Sequence, residues 1–124
     1  MAFIYYNQNI AGADTGDCVI RAISKALNQT WGDTYWDLCY HGFIMGDWGD
    51  SNRVWDSYLR GRGFKRRVIP NMCPDCYTVR EFCEDYPYGV FVLATGNHVI
   101  AVIDGNYYDS FDSGSEVPIF YYEQ

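Results

Sequence analysis

Two apolar periodicities divide this chain, a helical one before Pro87 and a strand-like one after it. Between residues 18 and 27, Val19, Ile20, Ala22, Ile23, Ala26 and Leu27 recur at helical spacing and predict an amphipathic helix. Asp17 stands at its N-cap position, which puts Cys18 in the first turn. Thr30-Trp31-Gly32-Asp33 resembles a capping box with Asp in place of Glu, opening a second helix to about residue 40 that buries Trp31, Tyr35 and Leu38. Residues 42 to 50, rich in Gly and aromatics, read as a loop. A third helix spans residues 52 to 60, with Ser51 as N-cap, Val54, Trp55, Tyr58 and Leu59 as its apolar stripe, and Gly61 and Gly63 as its stop. Thr78-Val79-Arg80-Glu81 is a full capping box for a short helix that turns Val79, Phe82 and Cys83 inward.

Strand-like runs occupy residues 3 to 6 and 64 to 69, and then residues 90 to 93, 98 to 103, 106 to 111 and 117 to 122. Asp104-Gly105-Asn106 is a hairpin signal that pairs the two runs flanking it antiparallel. The pattern therefore predicts an α+β fold in which N-terminal helices pack on one side of a C-terminal antiparallel β-sheet. Neither an internal repeat nor a linker interrupts residues 1 to 124, so a single domain is expected.

Composition narrows the function classes. Aromatics at 19% of 124 residues exclude a low-complexity disordered chain. A formal charge of -7 argues against a generic nucleic-acid binder, which neutralises phosphates with Lys and Arg. The local exception is Arg60, Arg62, Lys65, Arg66 and Arg67, read as a solvated helix end and an edge strand because cations suit a helix C-terminus. No stretch has the roughly 20 apolar residues that span a bilayer. No secretory signal opens the chain, so a cytoplasmic location without membrane partners is expected. In such a reducing compartment the five cysteines read as thiols. Cys73-Pro74-Asp75-Cys76 is a CxxC that could join Cys39 and Cys83 in a zinc site, but a second CxxC is missing. Neither metal nor cofactor is expected.

The chemistry concentrates on Cys18, the one cysteine placed at a helix start, where free amides and the macrodipole favour a thiolate. A thiolate nucleophile needs a proton carrier, and the chain has two histidines, His41 and His98. His98, opening a strand after Gly96-Asn97, can sit rigidly at a cleft mouth. A carboxylate should orient the imidazole, and Asp109 and Asp112 both lie on the returning strand, with Asp109 preferred. Their parity is opposite, so one strand register admits only one of them. An oxyanion would rest on the Cys18 amide and a side-chain amide upstream, with Gln8 favoured over Asn7 and Asn9. The loop around Trp48 reads as packing or as a groove border, where Asp47 and Asp50 would favour cationic or polar substrates.

The order of Gly16-Asp17-Cys18 at a helix start, Gly96-Asn97-His98 at a strand start and an Asp on the next strand resembles the papain-like cysteine peptidase superfamily. The runs GDCVIRAISKAL, NHVIAVIDGNYYDSFDSG and VPIFYY are similar to small proteins of bacteria and their phages, grouped near the bacteriocin-processing double-glycine peptidases. The resemblance implies a papain-like fold, with Cys18 as nucleophile, His98 as general base and acid, and Asp109 or Asp112 as orienting acid. The chain departs from papain in lacking the aromatic residue after the cysteine and a glutamine at papain's spacing. Two function classes follow: a cysteine hydrolase acting on a peptide or protein substrate, with acyl transfer by the same residues, and an inactive papain-like module that binds a protein partner.

Overall fold

The computed structural model describes residues 2–70 and 77–124. In chain order they form β1 (Phe3–Tyr5), α1 (Cys18–Ala26), α2 (Trp31–Met45), α3 (Asn52–Gly61), β2 (Lys65–Val68), α4 (Val79–Asp85), β3 (Val90–Ala94), β4 (Val99–Ile103), β5 (Asn106–Asp109) and β6 (Phe120–Glu123). The strands make one six-stranded sheet in the order β1-β5-β4-β3-β6-β2. The α+β class expected from the pattern is present, with two corrections to its arrangement.

The sheet is mixed rather than antiparallel and C-terminal, because β1 runs parallel to β5 while every other pairing is antiparallel. Both edge strands come from the part of the chain before Pro87, β1 on one side and β2 on the other. The helices, moreover, cover two faces instead of one. Val92, Ala94, Val99, Ala101 and Tyr122 pack with α1, α2 and α3, whereas Phe91, Leu93, Ile100, Val102 and Tyr107 pack with Val79, Phe82 and Cys83 of α4. The central strands β3 and β4 are therefore uninterrupted apolar runs, since both phases of their pleat are buried.

The stripe of α3 is as its spacing requires, with Val54, Trp55, Tyr58 and Leu59 all in the core. In α2 the pattern misleads twice. The helix continues to Met45 and stops at Gly46, whose φ of 71° gives a left-handed C-cap. Gly42 lies inside it because a Cβ there would come within 2.6 Å of the Asp47 carbonyl oxygen, so glycine serves close packing and not helix ending. Of the three residues expected to be buried, Leu38 enters the core while Trp31 and Tyr35 stack on each other near the surface, ring centroids 5.3 Å apart. Of the basic run, Arg60 and Arg62 sit at the end of α3, and Lys65, Arg66 and Arg67 lie on exposed β2, the sheet edge, where Arg67 pairs with Glu123 at 2.7 Å and Arg66 lies 4.2 Å over the Phe120 ring. Charged side chains on an edge strand discourage pairing with another chain. Among the described residues no helix is long and apolar enough to cross a membrane.

Candidate active site

The site forms where the start of α1 meets one end of the β4–β5 hairpin. Cys18 is the first residue of α1 and is half-buried. Asp17 holds the N-cap position but accepts no capping hydrogen bond. Its carboxylate is taken instead by Arg21, by the Trp31 indole N–H at 2.9 Å and by the Asn9 amide at 3.3 Å. The first-turn amides of α1 are thereby left without a side-chain acceptor, and their partial positive charge faces the sulfur's surroundings.

His98 sits between the Gly96-Asn97 turn and β4, in a hairpin closed by the Thr95 N–H to His98 carbonyl bond of 2.8 Å. Its Nε2 is 2.6 Å from Asp109 Oδ2, which leaves Nδ1 for the sulfur. The Phe111 ring, 5.0 Å away by centroid, covers the imidazole. Asp109 is only 2% exposed, and its carboxylate also accepts from the Ser113 hydroxyl at 2.7 Å, the Ser110 amide at 2.7 Å and Arg21 at 3.2 Å.

The hairpin register selects between the two candidate acids. Ile103 pairs with Asn106, so Asp104 and Gly105 are the turn residues, with φ of 50° and 75° as a tight primed turn requires. Continued to the strand ends, this register puts His98 opposite Phe111 and Asp109 in the same phase of the pleat, with Asp112 in the other. Asp112 accordingly lies away from His98, accepting from the Tyr107 hydroxyl at 2.6 Å and from Arg80 at 3.2 Å. Of the two acids it is Asp109, not Asp112, that meets the imidazole.

Burial alone would raise the Cys18 pKa, but the hydrogen bond and charge of His98, the Val99 amide and the nearby Arg21 outweigh it and bring the thiol below its ordinary value. Burial likewise opposes the imidazolium of His98, and here Asp109 and the Cys18 sulfur win, lifting it to about 9. Asp109, despite its burial, is held below the usual carboxylate range by His98 and Ser113. The three shifts act in one sense, each favouring a thiolate beside an imidazolium that a carboxylate anchors. Cys83 supplies the contrast, since burial pushes its thiol up to about 11.

Around Cys18 and His98 lies a cleft of about 220 Å³, walled by Gly16, Asp50, Asn52 and the Thr95 to Asn97 turn. Gln8 does not reach it, lining instead a separate concavity with Tyr6, Lys25 and Trp31, so the expected oxyanion donor is misplaced. The loop between β1 and α1 carries it there, away from the helix start. Asn52, the first residue of α3, lines the cleft in its stead and accepts from the buried Trp55 indole at 3.1 Å through Oδ1. Its NH2 group is left as the free end.

Arg21 and Asn52 join the site without standing out in the residue pattern. Arg21 had one visible signal, an i,i+4 pairing with Asp17 beside the apolar stripe of α1; Asn52 had none beyond its helix-start position. His41, the other histidine, faces α3 and shares a 3.0 Å hydrogen bond with Ser57. Larger concavities of about 470 and 860 Å³ lie elsewhere on the described surface, and neither contains cysteine or histidine among its lining residues. Of the CxxC zinc alternative, Cys73 and Cys76 lie outside the described residues; among the described ones no group of three or more His, Cys, Asp or Glu could hold a metal. Set beside protein-family models, curated proteins and solved structures, the chain matches none.

Proposed function

We propose that this protein is a cysteine hydrolase of papain-like type, acting on an amide, isopeptide or thioester carbonyl in a peptide or protein. The observation that carries the reading is the Asp109-anchored imidazole of His98, with Nε2 fixed at 2.6 Å from the carboxylate and Nδ1 left for the Cys18 sulfur. The Cys18 thiolate attacks the carbonyl carbon, a C–S bond forms, and the carbonyl π electrons move onto oxygen. That oxyanion rests on the Cys18 amide and the Asn52 NH2 group. His98 delivers its Nδ1 proton to the leaving nitrogen or sulfur as the scissile bond breaks, leaving a thioester on Cys18. Neutral His98 then takes a proton from water, the resulting hydroxide attacks the thioester, and the expelled thiolate restores the ion pair. An amine in place of water would give acyl transfer with the same residues.

A second reading rests on α2, which exposes Trp36 at 70% and Phe43 at 81%, with Tyr40 and Ile44 on the same side. A papain-like module without catalysis could bind a protein partner there. Alkylation separates the two. Iodoacetamide labelling of each cysteine, resolved by peptide mass spectrometry against pH, should be fast at Cys18 below the ordinary thiol pKa of about 8.5, slow at Cys83, and slow at Cys18 in His98→Ala. Labelling of Cys18 no faster than Cys83, or unchanged in His98→Ala, would overturn the hydrolase reading.

A further inference from the structure

The cleft at Cys18 continues into a second concavity of about 300 Å³, and the two share Gly16, Val19 and Asp50. The walls of this extension are aromatic: Trp31 and Tyr35, stacked with their planes 23° apart, face it together with Trp48. They are set before any ligand arrives. The Trp31 indole is tied to Asp17 at 2.9 Å. The Trp48 segment is pressed onto α2 by paired glycines, where a Cβ on Gly49 would come within 3.0 Å of the Leu38 carbonyl oxygen.

The charges in the groove are one-sided. Neither lysine nor arginine lines it. Asp17 is neutralised by Arg21, and neighbouring Asp47 is held by Arg53 at 2.6 Å and by Ser51 at 3.0 Å. Asp50 differs, an exposed carboxylate at the junction of the two concavities with neither a hydrogen-bond nor an ion-pair partner among the described residues. Aromatic faces beside a free carboxylate suit a cation on an apolar stem, which loses little hydration by lying against the rings and gains the ring quadrupole and the negative charge together. An acidic side chain would meet repulsion, and a neutral one would leave the carboxylate unused. A formal charge of -7 adds a long-range pull in the same sense.

We propose that this groove binds a lysine or arginine side chain of the substrate, close to the bond attacked by Cys18, with Asp50 as the specificity-determining carboxylate. The inference rests on the reading of Cys18 as nucleophile. It is tested with acetyl-tripeptide vinyl sulfones carrying Lys, Arg, Phe, Glu or Ala at each position in turn. The rate of Cys18 labelling on the full chain is compared with that by iodoacetamide, which needs no groove. One position should favour Lys or Arg over Ala, Phe and Glu by about tenfold or more. In Asp50→Asn the ratio of basic to alanine probe should collapse towards one, and in Asp50→Lys it should invert in favour of Glu. A preference for Phe, no preference at any position, or a basic preference that survives both variants would overturn the proposal while leaving activated Cys18 intact. If iodoacetamide labels Cys18 no faster than Cys83, the nucleophile reading falls and this inference falls with it.

Discussion

Removing Arg21 should destabilise the protein more than removing any exposed charge. The guanidinium bridges Asp17 and Asp109 in a site where the side chains are 8%, 4% and 1% exposed, so solvent screens these pairs little. Arg21→Met keeps most of the volume and leaves two buried carboxylates short of a cation. Breaking such a pair from one side costs about 3–5 kcal/mol. The remaining partners, the imidazole of His98 on Asp109 and two neutral donors on Asp17, confine the loss to one such increment instead of two. Against a total stability of about 5–15 kcal/mol that is a large fraction. Urea unfolding, with a slope of about 1–3 kcal/mol/M, should show a midpoint lowered by roughly 2 M. Adding Asp17→Asn to Arg21→Met should recover part of it, because one unpaired charge is gone. Arg21→Lys should rescue poorly, since a single ammonium cannot fork between two carboxylates. An Arg21→Met midpoint equivalent to less than about 1 kcal/mol of loss, or a further loss on adding Asp17→Asn, would refute the account of Arg21 as the electrostatic link.

Asn52→Ala should separate chemistry that builds an oxyanion from chemistry that does not. Acylation of Cys18 by an active ester should slow by about 10²–10³ while alkylation by iodoacetamide stays fast, and an equal slowing of both would assign Asn52 a structural role instead. Turnover should fall on the alkaline side near pH 9, as His98 loses the proton it gives to the leaving group, and on the acid side as the Cys18 thiolate is protonated. The same titration enters stability: the folded pKa of His98 is raised, so its contribution is complete below the unfolded value of about 6.5 and is lost as pH rises through about 9. Urea midpoints of wild type and His98→Ala that keep a constant difference from pH 6 to 10 would contradict it.

Local chemistry made much of this molecule readable from its residues. The stripes of α1 and α3, the capping residues Thr30 and Thr78, and the hairpin at Asp104-Gly105-Asn106 are set by contacts within a few positions, and each is where its pattern puts it. The departures share a cause. Trp31 and Tyr35 fall on the apolar stripe of α2 but outside the core, because apolar spacing reports a face of a helix and not what covers that face. Residues 42 to 45 read as loop and are helix, because the segment that packs against Gly42 cannot be seen from its neighbours. Continuous apolar runs in β3 and β4 already implied two covered faces, yet which helix crosses to the second face depends on connections that no local rule contains.

The same division runs through the candidate site. The kinds of group present, a cysteine at a helix start, a histidine at a strand start and carboxylates on the returning strand, follow from residue order, because caps and turns place those positions locally. Which of them meet is a matter of long-range packing. Pairing of Ile103 with Asn106 put Asp109 and not Asp112 in phase with His98. Docking of α1 at the end of the hairpin brought Arg21 to a carboxylate 88 positions away. The start of α3 brought Asn52 to the cleft at Cys18, which Gln8 does not line. A shift of one residue in strand register exchanges the faces of every side chain, and a helix can dock at many rotations of nearly equal local energy. These choices are therefore made by long-range packing of the two cores, which local residue patterns do not encode.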